Sequence, residues 1–597
     1  MRLLSRAGGA VTAAVALVLG GGTASPAQPA HPAAARYTVT VGTPVPFTHP
    51  TDTPATPYID RDGTFHYQQS AALYGGDDPR VWDFYTGEDF DTAAYDRTLS
   101  EAVDPANPAD RNDDTTWRCD NSPTGREATY APAGSGYARR NYCDLSGVWI
   151  DPDTGDWYGL VHNEFTPRPF GDGLHFDAVD YAVSTDRGRT WTVKDHVLTS
   201  PYSTKRGDTT AFPHQTYHYG DGDQRLFADY ASGYFYVFYG SRIVDKNGGW
   251  KAFHEHVARA PIAAKMAPGS WRKWYDGAWS QPGTGGKESN IVPVDAGHPT
   301  GYTPASAEYD PARTGTAAEQ IAAGRMPPTS PLFVMNIAYD AYLGRYIGTP
   351  QAVDQSGHAP QYLYATDDLA TQKWELVGDT GDYTTASWYR WFLDGASRTG
   401  AAVVGKTFRA YCSFGCSHGS SGEYADLTVA SSAPAVPPVD TGRGYRVTGG
   451  TGRALAQVSG GSAVTSVPEP AGSARAQWSF TPTGDGAFTL TNAATGRLLG
   501  VDSTGKAGRA WGARPTATAA RTGQGAVGQQ WFVLPATPAA GTYRLVNRYS
   551  GLALGLSAAA GRSAETTAPR TWTATGGGVG GGRAPAEQTL SFTPTRP

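Results

Sequence analysis

The sequence predicts an all-β chain in two parts, a five-bladed β-propeller followed by a smaller domain built on a threefold repeat. Three observations carry this. Between about residue 45 and residue 430 one hairpin unit recurs five times. Beyond a proline-rich stretch a different unit recurs three times. Throughout, 74 glycines and 43 prolines punctuate aromatic, strand-forming runs, and long amphipathic helical patterns are nearly absent.

The first unit is an apolar-aromatic strand, an Asp, a turn containing Gly, and a second strand led by aromatics. One copy is Val148-Trp149-Ile150-Asp151, a turn from Pro152 to Gly155, then Trp157-Tyr158. Another is Leu226-Phe227-Ala228-Asp229, a turn to Gly233, then Tyr234-Phe235-Tyr236. Tyr58-Ile59-Asp60, Ile337-Ala338-Tyr339-Asp340 and Trp391-Phe392-Leu393-Asp394 begin the other three. The turns are hairpin chemistry: Asp bonds its own backbone and Gly supplies positive φ. Asp60, Asp151, Asp229 and Asp340 are therefore read as turn stabilisers. Five copies imply small antiparallel sheets repeated around an axis. A third strand follows each hairpin; in the second unit it runs from Val179 to Val183 and leads into the octet Ser184 to Trp191.

Antiparallel order then decides which residues share a face. If first strands run from the central funnel to the Asp-Gly turn, second strands end, and third strands start, back at the funnel. Asp52, Asp144, and Asp221 with Asp223 begin first strands. His162-Asn163-Glu164 and Arg242 end second strands. His175-Phe176-Asp177 and His254-Glu255-His256 start third strands, and His214 lies just ahead of the third unit. Solvated strand ends often carry acids, but here acids, imidazoles and amides from three neighbouring units converge. Cleavage of a glycosidic bond needs one protonated carboxyl and one ionised carboxylate. Asp52, Asp144, Asp221, Asp223, Glu164 and Glu255 are the candidates for that pair. His162, His175, Asp177, His214, Arg242 and His254 are candidate substrate contacts. So is Trp391, within an aromatic set that includes Trp271, Trp274, Trp279 and Trp388, because aromatic faces stack on sugar C–H surfaces.

The N-terminus reads as a secretory signal, residues 1–30: Arg2 and Arg6, an apolar run from Ala10 to Leu19, then small residues and prolines. A secreted, extracellular protein is expected, and four cysteines suit it, with Cys119–Cys143 and Cys412–Cys416 the favoured pairs. The formal charge of −6 has no basic block, which argues against nucleic acid or an anionic membrane as partner. No cofactor is expected. A structural Ca²⁺ in the channel is left open, since Asp221-Gly222-Asp223 and His254-Glu255-His256 offer ligands. On a strand, however, His254 and His256 share a face that Glu255 does not. A monomer is expected.

The hairpin unit with its third strand resembles the five-bladed propellers of the arabinanase and β-xylosidase group, glycoside hydrolase family 43. The octet Ser184 to Trp191 matches the Asp-box of sialidase-like propellers, where Asp caps a turn and Trp packs, so Asp186 is read as structural. The resemblance implies an inverting glycosidase with Asp52 as base, Asp144 as the residue that tunes a pKa, and Asp221 or Asp223 as acid. That group usually employs Glu as the acid, and here Glu stands at 164 and 255 instead. A non-catalytic glycan-binding adhesin is the competing reading. A sialidase is a further one, with Arg242 and Arg259 available but the early Arg-Ile-Pro motif missing.

These readings place the propeller at 37–432 and a proline-rich linker at 433–442. The rest, 443–597, repeats "YRVTGGTGRALAQV", "FTLTNAATGRLLGV" and "YRLVNRYSGLALGL", each followed by a Gln-aromatic element at Gln477-Trp478, Gln530-Trp531 or, degenerate, Gln588 to Leu590. This resembles the ricin B-type lectin, a β-trefoil of carbohydrate-binding module family 13. The Asp that binds sugar in that family is Gly500 in the second repeat and is absent from the other two, so a weak or degenerate carbohydrate module is expected. Asn492 and Asn547 match the Asn of the repeat core. The linker predicts separable modules, with a chain ending near Ser432 still folding and acting on short oligosaccharides.

Overall fold

The structure is a computed structural model of the 597-residue chain. It describes residues 35–595 apart from 48–51, 73–79, 131–132, 134–138, 166–175, 206, 248, 352–358, 386–388, 414–415, 418–421, 470–471, 539–540 and 577. The expected signal segment 1–30, His175 and Trp388 lie outside the described residues.

Five blades form as the repeat predicts. The N-terminal strand β1 (Tyr37–Val41) belongs to the last of them. Blade one is β2 (Thr56–Ile59), β3 (Phe65–Ala72) and β4 (Arg80–Gly87), extended by a two-residue strand at Ala94–Tyr95. Blade two is β5 (Asn141–Ile150), β6 (Trp157–Phe165), β7 (Phe176–Ser184) and β8 (Thr192–Leu198). Blade three is β9 (Thr216–Asp229), β10 (Tyr234–Asp245), β11 (Trp250–Pro261) and β12 (Arg272–Tyr275). Blade four is β13 (Asn336–Asp340), β14 (Arg345–Thr349), β15 (Pro360–Thr366) and β16 (Glu375–Thr384). Blade five is β17 (Tyr389–Asp394), β18 (Thr407–Ser413) and β19 (Gly422–Ser431), closed by β1, whose Tyr37 pairs with Ser431. A ring sealed by the first strand of the chain leaves no open seam between last blade and first.

The cores lie between blades, built from the aromatic faces the alternating strands turn inward. Trp82, Trp157 and Trp191 pack together between blades one and two. Asp186 accepts from Ser184 Oγ at 2.8 Å and from the Thr190 amide at 2.9 Å, and Trp191 is 3% exposed. The Asp-box is a turn and a packing wedge, as read. Both favoured cysteine pairs are disulfides.

The C-terminal domain carries its three repeats on β20 (Gly444–Gly449), β21 (Ala487–Asn492) and β22 (Tyr543–Asn547) around one apolar core. Trp478 and Trp531 are fully buried there and donate to the carbonyls of Leu455 and Leu499, both at 3.0 Å. Asn492 and Asn547 hold the backbone of neighbouring turns, at Arg475 O and Gly528 O, both 2.9 Å. Their amides serve the fold.

This domain is docked on the propeller's Asp-turn face. Arg570 reaches Asp153 Oδ1 and Pro152 O in blade two at 3.0 and 2.8 Å, and Trp572 donates to Asp153 Oδ2 at 2.8 Å. Arg544 donates to Tyr230 O of blade three at 2.7 Å, and Arg509 to Gly63 O of blade one at 3.1 Å. Arg548 makes a two-pronged pair with Asp394 of blade five at 2.7 and 3.0 Å. Gly486, at φ +100°, abuts the blade-four turn so closely that a Cβ there would stand 2.4 Å from Tyr342 N. A cavity of about 320 Å³ remains at the far mouth of the channel between the domains. The opposite mouth carries the acids.

Candidate active site

At that mouth β9 is long enough to rise above its blade, and it bends at two irregularities in its pairing with β10, after His218 and after Gly222. The bends send Asp221 and Asp223 to opposite sides of the sheet. Two glycines allow the approach of blade two. A Cβ on Gly220 (φ +104°) would lie 2.2 Å from Asp177 O, and one on Gly222 would lie 2.4 Å from His162 Nε2. Gly220 pairs in parallel with Asp177, which fuses blades two and three at the funnel. Asp223 itself holds φ +54°, a left-handed conformation costly for most side chains and frequent at functional positions.

The result is a buried ionic centre. Arg242 bonds Asp177 Oδ2 at 2.7 Å and pairs with Asp223. His162 lies 3.5 Å from Asp177 Oδ2, 3.6 Å from Glu164 Oε1 and 3.8 Å from Asp223 Oδ1. Burial alone would discharge His162, but Asp177, Asp223 and Glu164 lift its pKa to about 10, so it is an imidazolium at neutral pH. Burial also opposes ionisation of Asp223, yet Arg242, His162 and Arg225 hold its carboxyl below the usual range. Arg225 stacks over Tyr389 at 5.6 Å. The Tyr389 hydroxyl is pushed up by burial and by Asp52, Asp223 and Glu164, which places it among those three acids.

Asp144 is the exception in this cluster. It sits opposite His162 in the β5–β6 register and is 2% exposed. Burial first, then the charges of Asp52 and Glu164, drive its pKa well up, against weaker pulls from His162 and Arg80. Within one mouth Asp144 is pushed towards its protonated form and Asp223 towards its ionised form, an acid–base division set by environment. Over the centre lies Trp250, with the Arg242 guanidinium 4.9 Å from its ring and 36% of its surface exposed.

The structure thus brings together Asp52, Asp144, His162, Glu164, Asp177, Asp223 and Arg242 from blades one to three. Other candidates it places elsewhere. Asp221 turns to the outer side of blade three, where Lys273 Nζ bonds it at 2.9 Å and Glu288 at 2.5 Å. His254 and His256 share that outer side, as alternation predicts, with ring centres 6.4 Å apart. Glu255 points to blade four instead and accepts the amides of Val334 and Met335 at 2.5 and 3.2 Å, while burial raises its pKa. Val334 is held at φ +45° there, a strained conformation for a β-branched residue. His214 stands half-buried in the loop before β9; the next residue, Gln215, bonds Lys246 and Gly315 at the outer tip of the raised hairpin. Trp391 is corrected outright: it is 1% exposed and stacked on Tyr411 at 4.9 Å, core rather than sugar platform. Trp271 and Trp274 are likewise buried, and Trp279 packs on Trp274.

His218, Asp221 and Glu288 come close enough to consider a cation, with ligand atoms within 4.8 Å of one another. The donor set does not fit one. His218 Nδ1 already accepts the Gly220 amide at 3.1 Å, which leaves the ring proton on Nε2, and the Lys273 ammonium already bridges the two carboxylates.

Arg225, Tyr389 and Trp250 escaped the sequence reading. Arg225 follows Asp223 by two residues, and the bulged β9 carries both to the funnel side. Only the run of glycines and acids hinted at the bulge.

No curated protein matches the chain in sequence. Among solved structures, an exo-β-1,3-galactanase from Clostridium thermocellum is 15% identical, with a TM-score of 0.21, covering 75% of this chain and 95% of that one. A family 43 β-1,3-galactosidase is 10% identical, with a TM-score of 0.28, covering 92% and 94%. A designed threefold-symmetric protein, ThreeFoil, is 24% identical, with a TM-score of 0.19, covering 25% and 96%. Residues 436–516 match a family described as ricin-type β-trefoil lectin domain-like. The chain is a five-bladed β-propeller joined to a ricin B-type β-trefoil.

Proposed function

We propose that this protein is a secreted glycoside hydrolase that cleaves a polysaccharide in the propeller funnel. One observation carries the reading: Asp144 is buried opposite His162 in the funnel wall, where burial and the neighbouring Asp52 and Glu164 push its pKa well up. Asp144 supplies the proton to the leaving oxygen, and Asp52 or Glu164 acts as the base. Asp223 cannot serve as the acid, because Arg242 and His162 hold it ionised; it and Asp177 instead fix the cationic wall formed by Arg242 and His162. Trp250 offers the half-exposed aromatic surface on which a sugar ring stacks. The resemblance suggests arabinose- or galactose-containing polymers as substrate. The leader-like N-terminus and the two disulfides support export.

The adhesin reading needs amides and aromatics in the funnel but no acid set with divided protonation, so the carboxyl cluster favours hydrolysis. The test is a product assay with the full chain on arabinans, galactans and arabinogalactans. Reducing ends released from one of them support the reading. Retention of a polymer without any cleavage across pH 4 to 9 would return the protein to the adhesin class.

A further inference from the structure

The outer side of blade three holds a second cavity, of about 390 Å³, separated from the ionic centre by the sheet of β9, β10 and β11. In the β10–β11 register Ser241 pairs with His254 and Arg242 with Phe253. Ser241 and His254 line this cavity, whereas Arg242 enters the centre on the other side. The volume lies in the ~300–1,000 Å³ range of small-molecule sites.

Its polar groups are built and incompletely used. Glu288 is 8% exposed; its Oε2 accepts from Lys273 and from Tyr239 at 2.8 Å, while its Oε1 has no hydrogen-bond partner. A buried carboxylate oxygen left without a donor is costly unless something else fills the place. Beside it His218, with Nδ1 occupied by the Gly220 amide, presents Nε2–H, the imidazole and carboxylate ligand atoms lying within 4.8 Å of each other. His256 is not the missing donor. Its Nδ1–H serves Ser289 O at 2.9 Å, and its Nε2 pairs with Ser241 Oγ at 2.8 Å, 4.0 Å from Glu288.

The charges nearly cancel. Burial depresses His218, His254 and His256 and favours their neutral forms, helped by the neighbouring imidazoles at His218 and His254 and by Lys273 at His256. Burial also pushes the Glu308 carboxyl well up, and Lys273, with Lys287 at the lining, answers Glu288 and Asp221. At the rim Arg313 faces Asp310 at 3.8 Å. An occupant that both donates to a carboxylate and accepts from an imidazole, carries no charge, and lies among tyrosines 202, 275 and 309 is a polyhydroxylated ring.

We propose that this cavity is a second sugar-binding site, for a single neutral sugar residue held by Glu288 Oε1 and His218 Nε2–H. It goes beyond the hydrolase reading and holds whether or not the funnel acids are catalytic. The experiment titrates the full chain with galactose, arabinose, xylose and glucose by ligand-observed NMR and calorimetry. Two variants accompany it: Glu288→Gln, and Ala305→Trp, which fills the cavity from its half-buried rim. At least one sugar is expected to bind the parent, and to lose about ten-fold or more in affinity in both variants, the scale of one hydrogen bond to a charged group. Ala305→Trp keeps the test open should Glu288→Gln fail to fold. Binding that is indifferent to Ala305→Trp belongs to the funnel or the trefoil and overturns the proposal. Absence of binding by all four sugars overturns it too. So does a Ca²⁺ or Zn²⁺ titration that finds a single site abolished by Glu288→Gln while sugar binding persists.

Discussion

At the residue scale, Asp144 and Asp223 sit in the same mouth with opposite charge states, and their substitutions should fail differently. Asn at Asp144 keeps shape and removes a proton donor that burial already holds neutral. Turnover is expected to fall ~10²–10⁴-fold while the thermal midpoint stays put. Asn at Asp223 takes one carboxylate from the buried Arg242, which costs on the order of 3–5 kcal/mol because a buried charge loses a partner. Measuring kcat and the unfolding midpoint on both variants separates the two; equal loss of stability in both would remove Asp144 from the chemistry. The histidines set a pH dependence with two limbs. In the folded chain His66 and His256 titrate near about 4 and His254 near about 3, against 6.5 unfolded, each depressed chiefly by burial. The unfolded chain therefore binds protons these three refuse, and stability declines as pH falls from 6.5 towards 3. His162 and His196, lifted to about 10 by their carboxylate partners against burial, act the other way. Their stabilisation is complete below pH 6.5 and is lost as pH rises through about 10. A midpoint that stays flat between pH 6.5 and 4 would count against the neutral-histidine assignment.

At the scale of single elements, the turn residues and the site residues differ in how readily sequence reveals them. Asp186 was legible because an eight-residue turn motif fixes both its partners and its Trp. Asp186→Asn should lower stability by about 1 kcal/mol and leave kcat unchanged, since it removes one carboxylate oxygen from a turn on the outer strand pair. A drop in kcat at full stability would contradict that. The blade boundaries were legible for the same reason: Asp-Gly turns are local chemistry, and the strand ends they imply place Asp52, Asp144, His162, Glu164 and Asp177 at one face. Strand β9 was not. Two irregularities shift its alternation, so Asp221 and Asp223, two residues apart, end on opposite sides, and only Asp223 keeps Arg225 beside it in the channel. A bulge is set by what packs against the strand, here His162 and Asp177 on Gly222 and Gly220. Such information resides in another blade. Tryptophans misled for a related reason. Sequence alone does not distinguish Trp391, wedged against Phe47 and Tyr411, from Trp250, half-exposed over Arg242.

At the scale of the whole molecule, the arginines of the trefoil decide how separable the two domains are. The proline-rich linker suggests a mobile tether, yet Arg509, Arg544, Arg548 and Arg570 are each at most 5% exposed and clasp the turns of four blades. Gly486 abuts the remaining one, blade four. Even the linker participates, with Ala435 bonded to Tyr342 O and Val439 in the trefoil core. Buried arginines of this kind gain little over an apolar contact when intact, but breaking one pair strands its partner. Asp394 is 1% exposed, and Arg548 supplies a two-pronged contact to it from outside the blade. Arg548→Met should therefore destabilise the propeller by about 3–5 kcal/mol, more than an exposed ion pair commonly gives. A chain ending near Ser432 would uncover Asp153, Asp394 and the 320 Å³ cavity together. Its propeller is expected to melt well below that of the full chain, with oligosaccharide turnover surviving at low temperature because the acids lie on the opposite face. Calorimetry of the two chains decides this. Coincident midpoints would mean the clasp is only a contact and the trefoil a true appendage; a shortened chain with a depressed midpoint and intact low-temperature turnover would make the lectin-like domain the floor of the propeller.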